Sequence, residues 1–363
     1  MQRNSGNKRI GDLMGAETTI IAVLLLTLVI AGGFIFQSSS NTLTYETSSS
    51  GYQTAKCIVA SDGTGNAISI QGCLDLMKNM EGTVYVKSGY YPIIDTINIQ
   101  TGQWLVGSGS GTNNTYLDCR LTNNLPCIKL NGVVGGKHTS WSGVSNLILV
   151  GNRTEFQTGI LVNGASDFIL SGLRIVGFNG IAMDFNDAWD GVISNNWIND
   201  SGSSDQLLPA VRLSNGINIW STTNNELKFN NNLFESSLYT TLEIGDYAWA
   251  NHFTDNKFHG TAPYPLNFAM ITVSETAQNQ SFIGNIFHQG GTAPYIVLKG
   301  NDNRIIGNGF NYGKGEAISI LGHRNAIVGN TAQYNWHYND MNHFNNIAQD
   351  NVLSGNVDNG KSA

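Results

Sequence analysis

A short pattern recurs through the second half of the chain: an apolar residue, two variable positions, an Asn, then one position and an aromatic or aliphatic residue. It reads ISNNWI from Ile193, FNNNLF from Phe229, FTDNKF from Phe253, FIGNIF from Phe282 and IIGNGF from Ile305, with weaker copies from Ile327 and Leu353. The repeated residues are Asn196, Asn232, Asn256, Asn285, Asn308, Asn330 and Asn356, at successive intervals of 36, 24, 29, 23, 22 and 26. A period in the low twenties, stretched here and there by an insertion, predicts stacked coils of a solenoid. Each repeat reads as two short strands meeting at a tight bend, with the Asn in the left-handed conformation that few residues tolerate. Stacking puts the amides in register, where they can hydrogen-bond from coil to coil.

Between the bends lie alternating runs such as Gly180-Ile-Ala-Met-Asp-Phe185, Ala210-Val-Arg-Leu-Ser214, Thr241-Leu-Glu-Ile244, Tyr295-Ile-Val-Leu298 and Ala317-Ile-Ser-Ile320. These fit strands with one face in and one face out. Earlier in the chain come Ala60-Ser-Asp-Gly-Thr-Gly65, an apolar set at helical spacing (Ile70, Cys73, Leu74, Met77), and then Gly82-Thr-Val-Tyr-Val86 and Gly89-Tyr-Tyr-Pro-Ile93. Ile97-Asn-Ile99, Trp104-Leu-Val-Gly107 and Ser108-Gly-Ser-Gly111 follow. Together these segments resemble the entry and first coil of pectate-lyase-like right-handed parallel β-helices. The resemblance covers roughly residues 57 to 363. It implies an all-β right-handed parallel β-helix whose N-terminal helix plugs the open apolar end, which would otherwise present unpaired backbone to water. Function is left open, because that superfamily includes lyases, hydrolases, epimerases, phage tailspikes and inert surface proteins.

Only 12% of residues are charged and the net charge is −7, so amides and hydroxyls carry solubility and a nucleic-acid partner is disfavoured. A solenoid has one long core, so one large domain is expected over residues 56–363. Before it, residues 18–36 (TTIIAVLLLTLVIAGGFIF) form an uncharged apolar run long enough to span a membrane. Arg3, Lys8 and Arg9 precede it and a Ser/Thr/Asn-rich linker, 37–55, follows. This arrangement keeps residues 1–17 inside and the β-helix outside, on the cell surface. Lys8-Arg-Ile-Gly11, Gly15-Ala-Glu17 and the apolar run resemble the leader of archaeal type IV pilins and archaellins, which implies cleavage after Gly11 and assembly into a filament. In that family the acidic residue sits five places after the cut, whereas Glu17 is six after Gly11. An uncleaved anchor and a signal cut near Ser38 are the other readings.

Cysteine usage agrees with export: four Cys favour two disulfides, paired as neighbours, Cys57 with Cys73 and Cys119 with Cys127. Sequons at Asn113, Asn152, Asn199 and Asn279 would accept glycans in an exported chain.

In enzymes of the resembled superfamily, substrate lies across one parallel sheet, so outward residues of the strand before the long loops are the ones to inspect. Aligning Ile181 and Met183 with Val211 and Leu213, and these with Leu242 and Ile244, puts Arg212 beside Glu243 and Asp184 diagonal to Arg212. Two carboxyls and a guanidinium on one face suit acid/base work on a glycan. One carboxyl would protonate the leaving oxygen, the other activate water, and Arg212 hold an acidic sugar. Two rungs span about 10 Å at the backbone, near the wider carboxyl spacing of about 6.5–9.5 Å used by inverting enzymes. A cross-strand ion-pair ladder with no catalytic role reads equally from these residues. Asp187, Asp190, Asp246, Tyr247 and Trp249 form a second group, carboxylates near aromatic rings, suited to binding an acidic sugar with help from Ca²⁺.

The chain lacks both the paired-Asp, Gly-His-Gly and Arg-Ile-Lys set of polygalacturonases and the Arg-x-Pro-x-x-Arg of pectate lyases. FHGTAPY from Phe258 and FHQGGTAPY from Phe287 read as a duplicated turn that stacks His259 on His288, without a third metal ligand. The expected function is therefore a surface-displayed protein that binds or processes polysaccharide. The alternative is a non-catalytic filament subunit, adhesin or sheath component.

Overall fold

The computed structural model describes residues 43–47, 53–67, 69–111, 114–214, 216–217, 223–260, 267–333, 344–346, 348 and 350–358. The leader with Glu17, the apolar run 18–36 and Asn113 lie outside them. Among the described residues no helix is long and apolar enough to cross a membrane.

Among the described residues three sheets run along the solenoid: sheet A with 13 strands, and sheets B and C with 11 each. The chain visits them in turn, as in Val192–Ser194 (A), Trp197–Asn199 (B) and Val211–Leu213 (C), before returning to A at Lys228–Asn230. Each strand pairs in parallel with its counterpart one coil away. This is a parallel β-solenoid. The exception is at the start, where Thr44–Thr47 pairs antiparallel with Gln53–Val59 at the edge of sheet A. Both strands begin inside the segment read from sequence as linker.

The bend from sheet A to sheet B explains the Asn repeat, with one correction. The left-handed residue is the one before the repeated Asn: Asn195, Asn231, Asp255, Gly284, Gly307, Gly329 and Gly355 all have φ between 52° and 68°. The repeated Asn residues point inward instead, and Asn196 through Asn330 are 2% exposed or less. Burial is tolerable because every polar atom is used. Asn232 Oδ1 accepts from the backbone N–H and the side-chain Nδ2 of Asn196, both at 3.0 Å, while Asn232 Nδ2 donates to the Ile193 carbonyl at 2.8 Å and to Asn256 Oδ1 at 3.0 Å. The same bonds repeat through Asn285, Asn308, Asn330 and Asn356. A second amide ladder, not apparent from the repeat, runs along the C-to-A corner through Asn251, Gln280, Asn303 and Asn325.

Between the sheets the interior is one continuous apolar cluster. Phe234, Phe258, Phe287 and Phe310 stack beneath sheet B with ring centroids 4.7–4.8 Å apart. Phe229, Phe253 and Phe282 do the same beneath sheet A at 4.8–4.9 Å. Each buried ring contributes about 1.5–3 kcal/mol by leaving water, and the rung spacing puts like on like at stacking distance.

At the first coils a short helix, Ile70–Leu76, buries Ile70, Cys73 and Leu74, with Met77 buried just beyond its end. Ser69 caps it by accepting from Gly72 N–H, and Gln103 Nε2 donates to the Leu74 and Met77 carbonyls. The Cys57–Cys73 disulfide ties this helix to sheet A, and Cys119–Cys127 closes a loop between sheets B and C. Both pairings are the neighbour pairings read from sequence.

Candidate functional site

The outer face of sheet C is built by register. Met183 lies opposite Val211 and Leu242, and Phe185 opposite Leu213 and Ile244, all facing inward. Phe185 sets this alignment by fitting between Phe168, at 6.2 Å, and Phe229, at 5.5 Å. Asp184 is therefore directly opposite Arg212, not diagonal to it, and Arg212 is directly opposite Glu243.

The three side chains are not equivalent. Asp184 is 8% exposed, and both its oxygens are taken: Arg212 Nε and Nη2 donate to them at 3.1 and 2.7 Å, and Ser214 Oγ donates at 2.8 Å. Such a carboxylate is a fixed anchor rather than a group free to activate water. Glu243, one rung further, is half-buried and has no hydrogen-bond or ion-pair partner among the described residues. Burial pushes its carboxyl above the ordinary range; the Arg212 charge opposes this rise and the Asp184 charge adds to it. The Arg212 guanidinium is held charged, its pKa raised chiefly by the hydrogen bonds to Asp184. Next to Glu243 opens a groove of about 530 Å³ lined by Asp246, Thr272, Ser274, Thr276 and Lys299.

The second predicted group separates. Asp187 turns inward at 1% exposure, where Oδ2 accepts from Gly135 N–H at 2.6 Å and meets His138 Nε2 at 3.1 Å. It pins the 132–139 loop, and its Oδ1 is buried without a hydrogen-bond partner among the described residues. His138 in turn sits edge-on to Trp189 at 5.1 Å. Asp190 lies around the corner towards sheet A, its carboxyl pushed up by burial and by the neighbouring Glu226 and Asp167 charges. Asp246 does face the groove, accepting from Ser274 Oγ and from Thr276 Oγ1. Tyr247 follows it with a left-handed backbone, φ 61°, its N–H donating to Thr276 Oγ1, and Trp249 pairs through its backbone with Asn225 and Gln278. These carboxylates do not converge: among the described residues no three His, Cys, Asp or Glu side chains are placed to hold a metal ion.

Of the sequons, Asn152 uses its Oδ1 to accept from Thr154 N–H and Oγ1, Asn199 faces outward on sheet B, and Asn279 occupies a left-handed corner position, φ 57°. His259 and His288 stack as expected, with centroids 5.0 Å apart, and continue a row in which Trp197 Nε1 donates to Glu235 and Glu235 meets His259 Nδ1 at 3.3 Å. Ser214 escaped the sequence reading although it lies two residues after Arg212, on the same side of the strand. That alternation was the available signal.

No protein-family model matches the sequence, and no curated protein does. Solved structures do. ORF18 of Geobacillus virus E2 is similar at a TM-score of 0.68 and 18% identity, over 89% of this chain and 68% of its own. An alginate lyase from Paenibacillus sp. str. FPU-7 is similar at 0.56 and 14%, over 84% and 97%. PfbA, a surface adhesin of Streptococcus pneumoniae, is similar at 0.53 and 10%, over 72% and 80%. At these identities the likeness is one of fold.

Proposed function

We propose that this protein binds and processes an acidic polysaccharide across the outer face of sheet C, displayed outside the cell by its N-terminal apolar segment. The observation that carries the reading is the division of labour around Arg212. Asp184 and Ser214 fix one edge of the guanidinium, which leaves its remaining N–H groups to pair with a sugar carboxylate. Glu243 stands one rung away, about 4.8 Å along the sheet, with its carboxyl protonated to higher pH than usual, as a proton donor to a glycosidic oxygen needs. The alginate lyase in the same fold supports a uronate-containing polymer as the substrate class. In this reading Asp184 is a positioning residue.

The test is to incubate the purified protein with uronate-rich and neutral polysaccharides, scoring both retention and new chain ends. Retention of the uronate polymer should fall in Arg212→Met, and new ends should disappear in Glu243→Gln with retention kept. The adhesin in the same fold motivates the second reading, a binding protein without turnover. Retention with no new ends from the unaltered protein would select it, and neither retention nor new ends would remove both.

A further inference from the structure

Away from sheet C, the first coils carry an open groove of about 420 Å³ lined by Glu81, Gly82, Thr83, Gly102, Trp104 and Trp141. Trp141 stands at the C-to-A corner with φ 55°, where other coils place Gly102, Asp167, Asp190, Glu226, Ala250, Asn279, Asp302 and Arg324 in the same left-handed conformation. The corner imposes this conformation on side chains of many types, and Trp141 is the aromatic one among the described coils. Trp141 is 65% exposed, so its ring is presented to solvent rather than packed.

Trp104 faces outward on sheet A, directly opposite Gly143 on the next coil. A Cβ at Gly143 would stand 2.5 Å from the indole Cζ3, so this glycine lets the ring lie flat against the backbone. Among the described residues neither indole pairs with another ring or donates its N–H, although both line one groove. Glu81 is the one titratable side chain in the lining, so the groove offers a carboxylate that repels acidic sugars and accepts from hydroxyls. The apolar surface is confined to two rings, far from the roughly 1,200–2,000 Å² that a stable protein interface buries.

We propose that this groove is a second carbohydrate site, separate from sheet C, which takes neutral pyranose residues. The polarised C–H faces of the sugar lie on the electron-rich indoles of Trp104 and Trp141, and the hydroxyls meet Glu81 and Thr83. The site gives a surface protein a hold on a neutral glycan while the sheet C face meets an acidic one, and it stands whether or not sheet C is catalytic.

The test is calorimetric titration of the full chain, in a detergent without a sugar headgroup, with cellohexaose, mannohexaose, maltohexaose and chitohexaose. At least one should bind, and Trp141→Asn should weaken it tenfold or more while melting no lower, since Asn accommodates the left-handed backbone. Trp104→Ala should weaken it similarly, and Glu243→Gln should bind unchanged. Binding of none of the four, or equal binding by Trp141→Asn, would overturn the proposal. So would self-association lost in Trp141→Asn without sugar binding, which would assign the groove to a second copy of the chain.

Discussion

Arg212 reaches back one coil to grip Asp184 with two hydrogen bonds, at 3.1 and 2.7 Å, and Glu243 on the other side is unpaired among the described residues. A row of alternating charge thus resolves into an anchored pair and a lone carboxyl. The asymmetry has a local cause: Ser214 adds a third hydrogen bond to Asp184, and among the described residues nothing comparable serves Glu243.

Breaking that pair should show in both stability and binding. Asp184→Ala is expected to cost about 2 kcal/mol, the scale of lost charge-assisted hydrogen bonds at a partly buried site. Combined with Arg212→Met the losses should be less than additive, which a double-mutant cycle by urea unfolding measures. Additive losses would mean that the pair does not act as a unit.

Glu243 makes stability depend on pH in a direction opposite to most carboxylates. Its pKa is raised in the folded state, so its contribution is fully present below the unfolded value of about 4.3 and is lost as pH rises through the raised value. Glu243→Gln, always neutral, should therefore gain in melting temperature relative to the unaltered protein between pH 3.5 and pH 7. An identical difference at both pH values would contradict the assignment.

Asp118 behaves in the reverse sense. Hydrogen bonds from Arg120, foremost, and from Tyr90 hold its carboxyl at about 2. Its contribution is present above the unfolded value of about 3.9 and is lost as pH falls towards about 2. Arg120→Met should move the Asp118 titration upward in an NMR pH series and shift the onset of acid unfolding to higher pH.

The ladder predicts unequal costs at neighbouring positions of a bend. Asn285→Leu removes the acceptor of Asn256 N–H and Nδ2, and the donors to the Phe253 carbonyl and Asn308 Oδ1, all buried. The expected loss is about 3 kcal/mol by denaturant unfolding. Asn195→Gly, one residue before a ladder Asn and already left-handed, should be close to neutral, whereas Asn195→Val should cost about 1–2 kcal/mol.

Much of this was written in the chain because a solenoid repeats its physics. Asn at a period in the low twenties gave the coil, apolar alternation gave the strand faces, and Arg212 and Glu243 were adjacent by counting alone. Which residue of each bend turns left-handed was not legible, since Asn suits a buried ladder and a left-handed corner equally and both occur side by side at Asn195 and Asn196. The surroundings of Asp187 were hidden for a related reason. Its neighbours in sequence are acidic and aromatic, but its partners, Gly135 and His138, come from a loop two coils earlier that no local pattern announces. The position of Asp184 depended on Phe185 choosing its place in an aromatic stack, a packing preference rather than a period.

From Asn196 onward the inward amides and parallel register hold each described coil to the next by the same bonds, whatever its outer face carries. A whole coil is thus an interchangeable length of chain. Inserting one between those of Arg212 and Glu243 would part the two by one further step of about 4.8 Å and leave each in its own surroundings. A protein of this design alters its span along a polymer by duplication and deletion, in fixed increments, before any residue that touches the polymer has to change.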